Sequence, residues 1–243
     1  MHIVSGRYRR LMLALLVVAT PLANTAGAHQ QQVEGLIVEE VPPASAGAKA
    51  GLKVGDRLLS YDGKPLLSPW TLEALEQNTT GKDVVAVEVL RAEQTLTLTV
   101  QVGTLGIKVR PELLVEALKL YEEGGNTLRA QQTNEAISTW EAAAKAAERD
   151  AQGSTAAWLY RRVGQVHETG RQWKEASQSH QSAWEILKAG GDAAAKSRTL
   201  VAMARCAQNL GDSQAAKKLF EDARQIDQAS TAELWVAGDL NSL

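Results

Sequence analysis

The chain has a single cysteine, Cys206, among 243 residues. No internal disulfide can form, so stability rests on apolar packing. Basic excess is also missing: 26 Lys and Arg face 28 Asp and Glu, a net charge of −2. That balance excludes the positive face a nucleic-acid binder needs. No apolar run is long enough to span a bilayer comfortably, and the best, Leu11 to Leu22, falls short. Gly-x-Ser-x-Gly and Gly-Asn-Ser-Gly-Gly are absent, and no Ser/His/Asp order sits on a protease-sized domain. His167-Glu168 opens like a zinc motif, but Arg171 stands where the second ligand would be. The chain is therefore expected to be non-enzymatic, with no metal site and no cofactor.

The remaining reactive or aromatic side chains have structural readings. His167 and His180 fall at aromatic packing positions. Cys206 lies amid Ala and Leu and reads as a small hydrophobe. Trp140, Trp158, Trp173 and Trp184 have helical spacing and read as core or groove residues. Lys217-Lys218 with Glu221-Asp222 is a solvated helix face.

The N-terminus carries Arg7, Arg9 and Arg10, then the apolar run, then Ala26-Gly27-Ala28. This is the pattern of a cleavable signal peptide over residues 1–28, with the mature chain starting at His29. An uncleaved N-terminal anchor is the alternative. No Cys adjoins the cleavage site, so no lipid anchor is expected. Cleavage removes three arginines and no acid, taking the net charge from −2 to −5. The expectation is export to the periplasm or beyond, with no stable membrane anchor after cleavage.

Residues Gly35 to Gly63, GLIVEEVPPASAGAKAGLKVGDRLLSYDG, combine a strand (Leu36 to Val41), a Pro/Ser turn and a short Ala-rich helix ending at Gly51. A Leu-Lys-x-Gly-Asp turn, a second strand (Arg57 to Tyr61) and the turn pair Asp62-Gly63 follow. Ser68 is an N-cap candidate with Pro69 at the first helical position, and Leu72 and Leu75 supply an apolar face. Asp83 to Arg91 reads as a strand. Thr95 to Val102 alternates, with Leu96, Leu98, Val100 and Val102 toward a core. This order resembles a bacterial PDZ domain, which implies a peptide reader.

Composition changes at Arg110-Pro111, where Gly, Val and Thr give way to Ala, Gln, Glu, Lys and Trp. Pro111 fits the first turn of a helix, and the domain boundary is placed there. Beyond it Ala136, Ala176 and Ala216 are each followed by Trp140, His180 and Phe220 four residues on and by Ala143, Ala183 and Ala223 seven on. The period is 40 residues, the signature of stacked helical hairpins. Gly124, Gly164 and Ala204 are the matching small residues twelve positions earlier. The pattern resembles tetratricopeptide repeats. Thr127 and Ala207 depart from it, where a large aromatic is usual, as does an extra residue in Gly170 to Trp173. Ser230 to Leu243 looks like the first helix of a fourth repeat, either capping the array or belonging to a longer protein.

The expected fold is thus an α+β PDZ-like β-sandwich or barrel over residues 29–110. An all-α tetratricopeptide-like helical-hairpin array follows over residues 111–243, with about three repeats and the first helix of a fourth. A PDZ domain binds an extended or C-terminal peptide as an added strand. Its carboxylate loop normally precedes the strand equivalent to Leu36 to Val41, where this chain has no room for it. Thr104-Leu105-Gly106-Ile107, with Lys108-Val109-Arg110, resembles that loop and strand in a circularly permuted order. The resemblance assigns the carboxylate to the amides of Leu105, Gly106 and Ile107, with Ile107 and Val109 opposite Leu72 and Leu75. The other reading makes residues 104–110 a closing strand and linker. Functionally the chain is expected to be an exported adaptor, with protein or peptide C-termini at the groove and a second protein on the repeats. The alternative is an N-terminal substrate-recruiting or regulatory part of a larger CHAT-type, caspase-like protease, which the same domain order resembles.

Overall fold

The computed structural model describes residues 35–79 and 81–240, with the backbone alone over residues 231–240. The expected signal peptide lies outside the described residues.

The first half follows the sequence pattern closely. It comprises β1 (Leu36–Glu40), α1 (Ala46–Lys49), β2 (Arg57–Tyr61), β3 (Lys64–Pro65), α2 (Pro69–Asn78), β4 (Val84–Arg91), β5 (Gln94–Gln101) and β6 (Lys108–Pro111). Strand order in the antiparallel sheet is β5-β4-β2-β1-β6, with β3 paired to β2. Leu36, Val38, Leu58, Val85, Val87, Val89 and Val100 form its core, with Leu96, Leu98 and Val102 packed against them. Ser68 caps α2 as expected, its Oγ accepting the Thr71 amide at 3.1 Å.

Two turns differ in their energetics. Asp56 is buried, and its carboxylate accepts both Nε and Nη2 of Arg91 at 2.6 Å and the Lys53 amide at 2.8 Å. Burial works against this carboxylate's charge, but Arg91 and the Lys53 amide outweigh it and hold Asp56 below its ordinary range. The β4–β5 hairpin turns through Ala92 and Glu93, at φ 46° and 64°. Both are left-handed positions that Asn and Gly occupy at lower cost.

Pro111 does not begin a helix. It ends β6 opposite Leu36, and the next helix starts at Val115. Because β6 is an edge strand, a residue without an N–H is tolerated there.

The second half is six helices: α3 (Val115–Arg129), α4 (Thr133–Arg149), α5 (Gly153–Thr169), α6 (Trp173–Gly190), α7 (Ala193–Asn209) and α8 (Ser213–Leu240). They pack as hairpins α3/α4, α5/α6 and α7/α8, and each hairpin stacks on the next. The turn inside each hairpin passes through one left-handed residue: Gln131, Arg171 and Gly211. Those positions are 40 residues apart, so residues 170–173 hold no extra residue. Arg171 takes the conformation that Gly211 takes in the third hairpin.

The small-residue positions place backbone against rings. A Cβ on Gly124 would lie 2.5 Å from Trp140 Cδ1, and one on Gly164 would lie 2.2 Å from His180 Cε1. Trp140 closes its polar end by donating Nε1–H to the Tyr121 carbonyl at 2.8 Å. Residues 230–240 do not start a fourth repeat. They continue α8, a 28-residue helix, because no Gly or Pro interrupts the sequence between Ser213 and Val236.

Candidate functional site

β6 is the terminal strand of the sheet and α2 lies alongside it. The loop joining β5 to β6 carries Leu105, Gly106 and Ile107. It is clamped from two sides. From α1, the Gly47 amide donates to the Leu105 carbonyl at 2.9 Å, and a Cβ on Gly47 would meet Ile107 Cγ2 at 2.6 Å. From α2, Glu76 Oε1 accepts the Leu105 amide at 2.9 Å. Gly106 sits at φ 66°, with Ser45 Cβ 3.2 Å from where its own Cβ would be.

The six residues singled out in the sequence do come together. Leu72, Leu75 and Leu105 are buried in one apolar cluster, and Ile107 and Val109 are half-buried against it. Leu72 and Leu75 thus present little surface, at 4% and 9% exposed, and the more open residues are those of β6 and its loop. Glu76 was not singled out. It follows Leu72 by four positions, the helical spacing that puts the two on one face. Burial raises its carboxyl above the ordinary range, the Leu105 amide partly offsets this, and the nearby Glu73 adds to it.

α2 is shared between the two halves. Trp70 is buried in the apolar cluster of the helical array, with Leu113 beside it. The Arg161 guanidinium lies 5.2 Å over the Trp70 ring. Arg198 on α7 donates Nη2–H to Gln77 Oε1 at 2.6 Å and stands 3.9 Å from Glu73. Further contacts join β1, β2 and the array. Tyr121 donates its hydroxyl to Glu39 at 3.0 Å, and Arg57 donates two hydrogen bonds to Glu112, at 2.8 and 3.0 Å. The helices that contribute to these contacts are α3, α5 and α7, the first helix of each hairpin. Sequence periodicity marks Trp70 only as apolar, so this docking was not legible.

A second cluster spans α5, α6 and α7. His180 Nε2 and Glu168 Oε1 are 2.8 Å apart, and the Cys206 thiol lies 4.0 Å from the same oxygen. Among the described residues these three alone combine donor atoms in the way a metal ion requires. Arg205 Nη2 is 3.4 Å from Glu168 Oε2, and Arg161 adds positive charge nearby. Such a field opposes a cation and stabilises the carboxylate. Burial keeps His180 below its ordinary pKa despite Glu168, and raises the Cys206 thiol to about 11. A protonated, buried thiol is no nucleophile.

The sheet order, the free edge of β6 and the glycine loop between α1 and α2 define a known architecture, and the PDZ domain family matches residues 15–102. The sheet-bearing half is a PDZ domain. In this PDZ domain the edge strand beside β1 is β6, the last strand of the sheet-bearing half. Curated relatives resemble the same region. Serine endoprotease DegS of Escherichia coli (strain K12) is 36% identical over 81 residues, 32% of this chain and 22% of that protein. Regulator of sigma-E protease RseP of the same strain is 32% identical over 99 residues, 37% of this chain and 22% of that protein. A probable periplasmic serine endoprotease DegP-like from Pseudomonas fulva (strain 12-X) is 32% identical over 130 residues, 51% of this chain and 26% of that protein. The chain therefore spans about a fifth to a quarter of the length of these relatives.

Among solved structures, the TPR domain of Arabidopsis FLU shows 22% identity and a TM-score of 0.41, over 48% of this chain and 96% of that one. BtubC from P. vanneervenii shows 19% identity and a TM-score of 0.43, over 47% and 48%. It is the hairpin geometry and the 40-residue period, rather than these likenesses, that make the array tetratricopeptide-like. No helix among the described residues is long and apolar enough to cross a membrane.

Proposed function

We propose that this protein is an exported, non-enzymatic adaptor whose PDZ groove binds an extended peptide against β6. One observation carries the reading: among the described residues β6 is a free sheet edge with a helix alongside it and a glycine loop at its start. Such an edge offers unpaired backbone groups to an incoming strand. The amides of Leu105, Gly106 and Ile107 lie at the start of β6, beside the added strand. Ile107 and Val109 contact its side chains, with Leu72 and Leu75 behind them. A second protein binds the array on surface that the PDZ domain leaves uncovered. Export is supported by the residue 1–28 pattern and by the periplasmic location in the name of the DegP-like relative.

A second reading is favoured by the relatives, which are proteases or regulate one. In it the same groove recruits substrates for a catalytic domain, of the CHAT type that the domain order resembles or of another kind.

Panning the full chain against displayed random peptides tests the groove. The fragment ending at residue 112 is unsuitable, because it would expose Trp70. Expected affinities are on the order of micromolar, since few contacts must offset the ordering of a flexible ligand. Enrichment that disappears on substitution of Gly106 supports the reading, and no enrichment overturns it.

A further inference from the structure

The loop amide positioned to meet a ligand's terminal carboxylate already has an acceptor. Glu76 Oε1 takes the Leu105 N–H at 2.9 Å. No Lys or Arg pairs with Glu76 among the described residues, and Glu73 lies close enough to add negative charge. Glu76 is therefore a half-buried carboxylate held by one backbone donor. A peptide tail ending here would bring a second carboxylate to the same donor. Two like charges sharing a site with low solvent access repel strongly.

Nor can the helix easily withdraw. Trp70, six residues before Glu76 on α2, is fixed in the array core, and Gln77, one residue after it, is held by Arg198. A rotation that removed Glu76 from the loop would break both contacts. The helix thus holds Glu76 beside the loop.

We infer that Glu76 makes this groove a reader of internal extended segments, excluding free C-terminal carboxylates. This rests on the groove reading above and narrows its ligand class. The ligand strand adds to β6 and runs past the Leu105 loop without ending there. A residue with a donor or a positive charge at the level of Glu76 complements it.

The test uses the full chain and one set of short peptides in three forms: free carboxylate, C-terminal amide, and embedded within a longer neutral sequence. The set is drawn from libraries displayed both at free C-termini and inside a loop. Wild type is expected to bind the amide and embedded forms at least tenfold more tightly than the free carboxylate. Glu76→Gln retains an acceptor for Leu105 but removes the charge. It is expected to recover the free-carboxylate form by tenfold or more, so that the gap between the free-carboxylate and embedded forms closes. A thermal melt of the variant checks that the fold is retained. Tighter binding of free tails by wild type, unaltered in Glu76→Gln, overturns the inference while leaving the groove intact. Failure of every peptide form with both proteins removes the groove reading and this inference with it.

Discussion

Trp70 of the PDZ helix α2 lies beneath the guanidinium of Arg161 from the array, at 5.2 Å. Arg161 is buried, and its Nε and Nη1 have no hydrogen-bond partner among the described residues. The indole face is what faces this cation, and burial lowers its pKa to about 10. The stacking thus serves both sides: an apolar ring is shielded from water, and a desolvated cation gains a π-face.

Trp70→Ala should accordingly destabilise the protein by about 3–5 kcal/mol, the range for removing a buried aromatic. It should also uncouple the halves. Calorimetry of wild type is expected to show one transition, and the variant two. A single undivided transition in the variant would show that the remaining contacts suffice to couple them.

The crossing of α5 and α6 depends on a missing methyl. Gly164→Ala places a Cβ 2.2 Å from the His180 ring and should cost about 1–3 kcal/mol through forced repacking. Gly125→Ala is the control. Nothing lies within 4 Å of its added Cβ, and helix propensity predicts a gain of about 1 kcal/mol. Urea midpoints that move in opposite directions would confirm the contrast.

Replacing Ala92-Glu93 by Asn-Gly should stabilise the PDZ half. Both residues hold positive φ, which costs a non-glycine residue about 1–2 kcal/mol. Part of that gain is offset by the greater freedom of Gly in the unfolded chain. A net gain of about 1 kcal/mol in denaturant unfolding is expected.

Stability should fall as the pH drops from 7.5 to 5.5. Burial depresses the His180 pKa in the folded state, Arg161 and Arg205 push the same way, and Glu168 opposes them. The unfolded value is about 6.5. The contribution of neutral His180 is therefore complete above that value and lost as pH falls through the lower folded-state value. His180→Phe places at this position the residue found at Phe220 in the third hairpin. It should flatten the dependence over this window, read from urea midpoints at each pH.

Gly106→Ala should weaken peptide binding at some cost to the fold. The position has φ 66° and Ser45 Cβ at 3.2 Å, so the substitution strains the loop by about 1–2 kcal/mol. The same substitution at Gly103, in the same loop with open space around it, separates backbone strain from loss of the site, in paired melting and binding measurements.

Local signals explain how much was legible. Ser68-Pro69 marks the start of α2, the alternation of Leu96, Leu98 and Val100 marks a half-buried strand, and the 40-residue spacing of Ala136, Ala176 and Ala216 marks the hairpins. Each depends on neighbours in sequence. Pro111 misled because its tolerance on an edge strand depends on what lies beside it in space. Arg171 looked like an insertion because left-handed backbone is expected of Gly, and a non-glycine residue adopts it here. The end of α8 misled because a repeat period cannot show that a helix runs on. The grouping of Glu76 with Leu105, and of Glu168 with His180 and Cys206, depends on separations of 29 and up to 38 residues. No periodicity joins those pairs.

The left-handed turns at Gln131, Arg171 and Gly211 set the rotational phase of everything after them. An α-helix turns about 100° per residue. One residue inserted within α6 would leave local helicity nearly untouched but swing α7 by that angle. Arg198 would then point away from Gln77, and the wall of the groove would lose its support. The spacing thus works as a gear train, in which an error in tooth count inside the array is transmitted to the distant edge of the sheet.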